Sequence, residues 1–219
     1  MIRVDMDRLR ETPLKTDPYD YLTVENFVPL DALDAIAEDF PDLELPGSFP
    51  VEELTYGQRF DALLARLAQD DFRDAIAEKF DIDLTGRPMT CTVRGAAQRK
   101  DGQIHTDSTT KLITVLIYLN PPWQAEGGRL RVLRSGTDLN DFAEEIEPSS
   151  GNLLIFRRAD NSWHGHEPFE GIRRSIQINW VTSQAVADKE KARHRVSAKL
   201  KRMNPFAGRR NSSTRQAPQ

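Results

Sequence analysis

Apolar residues recur at helical spacing through the first third of the chain. One run ends at Pro41, and its apolar positions lie three or four residues apart. Such spacing places the apolar side chains on one face of a helix. Three helices are therefore predicted, over residues 29–40, about 60–67 and about 72–80, each packing against a sheet. Their apolar stripes are Leu30, Leu33, Ile36 and Phe40; Phe60, Leu63, Leu64 and Leu67; and Phe72, Ile76 and Phe80.

From about residue 88 the pattern changes to short β-rich runs separated by turn residues. Between Lys111 and Asn120, apolar positions alternate with positions that include Thr114 and Tyr118, which predicts one buried face and one face with polar groups. Many short strands after a helical block indicate an α+β, mostly β fold, a β-sandwich or jelly roll with helices buttressing one sheet. The predicted strands are 90–95, 111–120, 130–133, 152–156 and 174–182.

Charge divides the chain into two parts. The net charge is −4, but residues 188–219 carry ten Lys and Arg against two acidic residues, while residues 1–187 carry 20 basic and 32 acidic residues. The first part is long enough for one domain.

Cys91 is the only cysteine, which excludes an intrachain disulfide framework. No run approaches the roughly 18 apolar residues of a membrane span, and the start lacks a signal-peptide pattern. We therefore expect a soluble, cytoplasmic protein.

The basic extension has a pattern of its own. Ala192, Val196, Leu200 and Met203 recur at helical spacing among Lys and Arg, which predicts a basic amphipathic helix followed by disorder over 204–219. Such a helix could contact an anionic membrane or an acidic partner, and a simply solvated helix is the alternative. The acidic body gives no nucleic-acid signal.

Three of the four histidines lie near the ends of predicted strands. His105 and Asp107 are separated by one residue, so in an extended segment both side chains project to the same side. With a second, distant imidazole they would form the 2-His-1-carboxylate triad that leaves open positions on Fe(II). His164 lies 57 residues after Asp107, and His166 is the competing ligand. His194, within the basic extension, is expected to be solvated.

Arg173 follows His164 by nine residues and stands at the start of the run 173–180, which overlaps the last predicted strand. On that strand Arg173 and Ser175 share one face, whereas Arg174 points to the other. A guanidinium group beside a hydroxyl suits a carboxylate in a partly dry pocket. A surface ion pair with Glu167 or Glu170 is the alternative for Arg173.

Taken in order, these motifs resemble the catalytic core of the Fe(II)/2-oxoglutarate-dependent dioxygenases, in the prolyl 4-hydroxylase-type branch. The matching features cover about residues 88–182: HTD at 105–107, TVLIYLN at 114–120, Trp123 with EGGRLRVL at 126–133, GNLLIF at 151–156, and His164, Pro168 and Arg173 in H-x3-P-x4-R. The resemblance implies a double-stranded β-helix, a cupin-like jelly roll. It implies that 1–187 is a single catalytic domain with a core at about 88–182.

The resemblance also implies a site and a reaction. His105, Asp107 and His164 would bind Fe(II), and the spacing to Arg173 favours His164 over His166. Arg173 would bind the C5 carboxylate of 2-oxoglutarate, with Tyr118 as companion and Thr114 and Ser175 as second contacts. With O2 as co-substrate, and ascorbate as a candidate reductant, the enzyme would hydroxylate a small-molecule or peptidyl substrate and release succinate and CO2. Asp107 favours hydroxylation, since halogenating relatives have a small residue there.

The sequence departs from this family at two positions. Lys111 stands where arginine is frequent, and Val93-Arg94-Gly95 replaces the segment that usually carries a tyrosine. Arg94 and Gln103 are therefore candidates for contacting substrate or co-substrate. A cupin-like barrel also suits a non-catalytic protein that binds a metal or small ligand, which is the alternative function.

Overall fold

A computed structural model of the chain describes residues 2–149 and 151–203. Four helices precede most of the strands, and a fifth follows the last strand. The helices are α1 (Met6–Glu11), α2 (Leu30–Glu38), α3 (Gln58–Leu67), α4 (Asp70–Lys79) and α5 (Gln184–Met203). The strands are β1 (Tyr21–Val24), β2 (Phe49–Pro50), β3 (Met89–Ala97), β4 (Lys111–Tyr118), β5 (Leu130–Leu133), β6 (Phe142–Ile146), β7 (Leu153–Arg157), β8 (His164–Gly165) and β9 (Gly171–Val181).

The strands form two antiparallel sheets. A six-stranded sheet has the order β1-β7-β4-β9-β3-β2, and a three-stranded sheet has the order β6-β5-β8. The crossovers between non-sequential neighbours are those of a jelly roll, in which two sheets face each other. The fold is therefore the double-stranded β-helix expected from the sequence, with helices against the outside of the large sheet.

The two faces of the large sheet have different contents. Ile113, Val115 and Ile117 of β4 are fully buried in a core shared with the helices, to which Phe60 and Phe72 also belong. Burying one such side chain fully contributes about 1.5–3 kcal/mol. The opposite face of β4 carries Thr114, Leu116 and Tyr118 toward the small sheet, where a second, smaller core includes Tyr118 and Phe156. The predicted alternation along residues 111–120 is confirmed, and it separates the packing face from the polar face.

The element predictions agree with the structure within a few residues at most ends. Helices α2, α3 and α4 and strands β3, β4, β5, β7 and β9 each correspond to a predicted run. The elements that were not predicted are α1, β1, β2, β6 and β8. Strands β2 and β8 contain two residues each, too few for any periodicity, and β6 (FAEEI) carries acidic residues that hide its alternation.

Helix α5 is confirmed as a helix, and it begins at Gln184, before the charge boundary at residue 188. Its basic side chains pair with the body: the Lys191 Nζ atom lies 2.7 Å from Glu52 Oε1, and the Arg195 Nε atom lies 2.7 Å from Glu53 Oε1. The predicted disorder of residues 204–219 lies outside the described residues. Over the described residues, no helix has the length and apolar character needed to cross a membrane.

Candidate active site

His105 and His164 are brought together by an isolated main-chain bridge between the segment that precedes β4 and strand β8. The His105 amide donates to the His164 carbonyl at 3.1 Å, and the His164 amide donates to the His105 carbonyl at 3.0 Å. The ring Nδ1 atom of His105 lies 2.8 Å from the Gln103 carbonyl, and that of His164 lies 3.0 Å from the Ser162 carbonyl. A carbonyl accepts only, so both Nδ1 atoms carry hydrogen. Each Nε2 atom is therefore left as a lone-pair donor.

Asp107 completes a cluster whose potential ligand atoms, one each from His105, Asp107 and His164, all lie within 4.8 Å of one another. The carboxylate is buried and doubly held: Thr114 Oγ1 donates to Oδ2 at 2.5 Å, and Lys111 Nζ donates to Oδ1 at 2.8 Å. Burial opposes the charged form of Asp107. The charge of Lys111, with the hydrogen bonds from Lys111 and Thr114, outweighs that effect and lowers the pKa of Asp107. The group is ionised near neutral pH, as a metal ligand must be.

His164 is held in its neutral form. Its burial lowers the pKa of the imidazole to about 4, and the opposing charge of Asp107 only partly offsets this. A neutral imidazole is the form that binds a metal. Two imidazoles with outward lone pairs and one carboxylate, with His105 still exposed to solvent, fit Fe(II) with open coordination positions.

His166, the competing candidate ligand, is not part of this cluster. Its amide donates to the Gly102 carbonyl at 2.8 Å, and its ring lies against Gly102, where an added Cβ atom would come within 2.3 Å of Nδ1. Gly102 has a φ of +83°, which glycine adopts without strain. His166 therefore supports the loop before His105, and the described cluster contains His164 instead.

Two buried polar atoms near the other end of β4 lack hydrogen-bond partners among the described residues: Tyr118 Oη and Arg173 Nη2. The Arg173 side chain is buried, and its Nε atom donates to the Gly128 carbonyl at 2.9 Å. Its guanidinium carbon lies 5.2 Å from the centre of the Tyr118 ring. Arg173 Nη2 and Tyr118 Oη, which are buried donors without partners among the described residues, form a pair suited to a carboxylate. The residues therefore fit 2-oxoglutarate.

Strand register accounts for this arrangement. Tyr118 pairs with Ser175 across β4 and β9, and Ser175 pairs with Arg94 across β9 and β3. Paired residues of adjacent strands project to the same side of a sheet. Arg174 points to the other face, as expected, where its guanidinium lies over the Phe40 ring. Arg173 makes no surface ion pair with Glu167 or Glu170, and Glu167 pairs instead with Arg131 at 2.9 Å.

The structure gives two side chains near Asp107 roles that the sequence did not suggest. Thr114, expected to contact 2-oxoglutarate, has its hydroxyl on the Asp107 carboxylate, and its Oγ1 atom also lies 3.1 Å from Asn179 Oδ1. Lys111 reaches Asp107 from four residues away. The sequence could have indicated these contacts with Asp107, because Lys111 and Thr114 lie in the first half of the strand that follows it. The contacts of Thr114 and Ser175 with 2-oxoglutarate stay predictions, and Gln103 supplies only the carbonyl that orients His105.

Comparisons with known proteins agree with this geometry. Residues 93–182 match the family model described as the 2OG-Fe(II) oxygenase superfamily. No curated protein matches the sequence significantly.

Among solved structures, the fold is similar to that of a prolyl-4-hydroxylase from Pseudomonas putida, with 21% identity and a TM-score of 0.54, covering 80% of this chain and 90% of that one. It is also similar to a prolyl 4-hydroxylase from Phytophthora capsici, with 15% identity, a TM-score of 0.56, and coverage of 94% and 80%. A third similar structure is HygX from Streptomyces hygroscopicus with iron bound, with 12% identity, a TM-score of 0.50, and coverage of 75% and 82%.

The matched segment begins at Val93 on β3 and ends just past β9, so it contains the whole His105, Asp107 and His164 cluster together with Arg173 and Tyr118. The superfamily assignment rests on this sequence match, and the similar structures support the jelly-roll fold. Residues 93–182 thus match the 2OG-Fe(II) oxygenase superfamily, and this match, together with the His-Asp-His cluster, supports a dioxygenase that depends on Fe(II), 2-oxoglutarate and O2.

Proposed function

We propose that the protein hydroxylates a C–H bond of its substrate while it converts 2-oxoglutarate to succinate and CO2. One oxygen atom of O2 enters the new hydroxyl group and the other enters succinate, so the reaction balances without another oxidant. The observation that carries the proposal is the pair of Tyr118 Oη and Arg173 Nη2, which lack partners among the described residues, with Tyr118 on the same face of β4 as Thr114, whose hydroxyl contacts Asp107. A protein that only held a metal would need the cluster but not the pair.

In this proposal His105, Asp107 and His164 bind Fe(II). The Gln103 and Ser162 carbonyls fix the two rings with Nε2 toward the metal position. Partners of this kind, beyond the ligands themselves, set ring orientation and ligand basicity. The bound metal and co-substrate supply the oxygen chemistry, and the chain supplies geometry, charge and exclusion of water.

Arg173 and Tyr118 would anchor the distal carboxylate of 2-oxoglutarate. The bond from Arg173 Nε to the Gly128 carbonyl holds the guanidinium in one orientation, which leaves Nη2 to donate. Burial raises the pKa of Tyr118 although Arg173 opposes it, so the phenol keeps its proton for donation. A fixed cation and a fixed donor impose little ordering cost when the carboxylate binds.

The test is succinate release coupled to 2-oxoglutarate consumption with Fe(II) and air. We expect Asp107→Ala and His164→Ala to lose both iron binding and succinate formation. Asp31→Ala removes an exposed carboxylate on α2 and should match the wild type. Wild-type iron affinity and turnover in Asp107→Ala and His164→Ala would refute the ligand assignment. Binding of iron and 2-oxoglutarate by the wild type without any O2-dependent decarboxylation would establish the alternative, a non-catalytic binding protein.

A further inference from the structure

His166 lies outside the candidate metal cluster, yet its side chain is buried and hydrogen-bonded. The Nδ1 atom lies 2.8 Å from the Glu167 carbonyl, and because a carbonyl only accepts, Nδ1 carries the hydrogen and donates it. The main chain of His166 is fixed as well, since its amide donates to the Gly102 carbonyl at 2.8 Å. The buried imidazole therefore has a defined orientation, with its Nδ1 hydrogen committed to Glu167.

The Glu167 carbonyl connects this imidazole to the side chain of Arg173. It accepts a second hydrogen bond, from the Gly128 amide, at 3.1 Å. The Gly128 carbonyl in turn accepts a hydrogen bond from Arg173 Nε at 2.9 Å. The His166 ring and the Arg173 guanidinium are therefore joined by hydrogen bonds through only two intervening residues.

Gly128 occupies a position in this connection that suits glycine alone. Its φ is +83°, and an added Cβ atom would come within 2.9 Å of Trp123 Cζ2 and 3.1 Å of Phe169 Cβ. The Trp123 and Phe169 rings are in contact, with centroids 4.7 Å apart, and Trp123 Nε1 donates to the Gly127 carbonyl at 2.9 Å. Packing by two rings and hydrogen bonds on its own amide and carbonyl therefore fix Gly128 and the direction of its carbonyl.

The direction of the Gly128 carbonyl bears on the co-substrate because it sets the orientation of Arg173. Arg173 is buried, and its Nη2 atom lacks a partner among the described residues. A guanidinium is planar, so fixing its Nε–H also fixes the direction in which Nη2 donates. A hydrogen bond weakens as donor and acceptor depart from a straight line. The hydrogen bond from His166 therefore affects how well Nη2 meets a carboxylate.

We propose that His166 is a positioning residue for the co-substrate, which acts through Glu167 and Gly128 to keep Arg173 aligned with the C5 carboxylate of 2-oxoglutarate. This role rests on the proposed function, which assigns Arg173 to that carboxylate. The two histidines of the segment 164–166 then have separate roles. His164 binds the metal, and His166 orients the arginine that binds the other end of the co-substrate.

The experiment compares two ligands that differ only at C5. Isothermal titration calorimetry of the full chain, loaded with Fe(II) under nitrogen, gives the Kd of 2-oxoglutarate and of 2-oxopentanoate, which has a methyl group in place of the C5 carboxylate. We expect the wild type to prefer 2-oxoglutarate and Arg173→Met to lose the preference. His166→Phe keeps a ring without the Nδ1 donor and should reduce the preference about three- to tenfold, the range expected for the loss of one hydrogen bond. His166→Asn, whose amide nitrogen can replace Nδ1, should restore it.

A second variant interrupts the same connection at its main chain. Gly128→Ala should reduce the preference about tenfold or more, because the added Cβ atom meets the Trp123 ring and strains the backbone. Gly86→Ala is the matched control, since Gly86 also has a positive φ, +67°, but an added Cβ atom there meets no atom of a non-neighbouring described residue within 4 Å. Gly86→Ala should lose some stability and keep the full preference for 2-oxoglutarate.

The outcomes separate this role from the proposed function. A wild-type preference in either His166→Phe or Gly128→Ala would overturn the role of His166, and so would equal weakening of both ligands, which indicates general damage to the site. A loss in His166→Asn as large as in His166→Phe would also overturn it, because the hydrogen bond would then not be the cause. Equal affinity of the wild type for the two ligands would refute the assignment of Arg173 to the C5 carboxylate. Absence of succinate formation by the wild type, measured separately, would refute the proposed function.

Discussion

Replacing Tyr118 by phenylalanine separates two effects of one hydroxyl group. Tyr118 is completely buried, and its Oη atom has no hydrogen-bond partner among the described residues. Leaving a buried polar group unpaired costs about 1–3 kcal/mol, so Tyr118→Phe should raise the free energy of unfolding of the 2-oxoglutarate-free protein by about 1 kcal/mol. Phe keeps the ring that lies 5.2 Å from the Arg173 guanidinium. The same variant should lose a hydrogen bond to a carboxylate, worth about 1.5–3 kcal/mol, or about 10- to 150-fold in 2-oxoglutarate affinity.

The assay pairs urea unfolding of the protein without 2-oxoglutarate with the Kd and KM for 2-oxoglutarate. Tyr19→Phe is the matched control, because Tyr19 is also buried but its hydroxyl donates to the Trp163 carbonyl at 3.0 Å. Tyr19→Phe should lower the free energy of unfolding by about 1 kcal/mol and leave the KM unchanged. A Tyr118→Phe protein with wild-type affinity for 2-oxoglutarate would refute the assignment of the Arg173 and Tyr118 pair to that carboxylate.

Two further predictions concern single side chains. Thr114→Val removes the hydroxyl that orients Asp107 and should weaken Fe(II) binding about 10- to 100-fold. The control Thr23→Val removes the hydroxyl that donates to Glu144 and should leave Fe(II) binding unchanged. An equal loss of Fe(II) affinity in the two variants would contradict the role of Thr114. For Cys91, burial raises the thiol pKa to about 12, so little thiolate forms at neutral pH. The rate of iodoacetamide labelling of Cys91 in the native protein should therefore keep rising as the pH passes 9. In urea the rate should level off above the ordinary thiol pKa of about 8.5. A plateau near pH 9 in the native protein would disprove the raised pKa.

The elements that the sequence predicted are those with enough residues to show a period. Helices α2 to α4 and the longer strands each offer several apolar positions, so the spacing of the side chains identified the element and its buried face. β2 and β8 contain two residues each and exist because neighbouring strands pair with them. Such strands are determined by tertiary contacts, which no local pattern encodes.

The same distinction between local pattern and tertiary contact applies to the candidate site. The order of motifs along the chain indicated His105, Asp107, His164 and Arg173, and the structure brings the first three within 4.8 Å. The contacts made by Lys111 and Thr114 with Asp107 depend on how β4 leaves the loop after Asp107, and the position of α5 depends on ion pairs with Glu52 and Glu53. The count of charges along the sequence indicated a basic extension separate from the body, because such a count contains no information on which acidic residues lie opposite the basic residues of α5.

The polar face of the large sheet shows why the unpaired donors are significant. Near Asp107 this face is hydrogen-bonded throughout: the Thr114 hydroxyl meets Asp107 and Asn179, and Gln177 and Thr90 also bond to Asn179. The polar face near Tyr118 could have avoided unpaired donors in the same way, for instance with phenylalanine at position 118. Instead Tyr118 and Arg173 keep donors buried at a cost of about 1–3 kcal/mol each. Because the stability of a domain is only about 5–15 kcal/mol, that cost is substantial, and an anionic ligand that accepts both hydrogen bonds repays it.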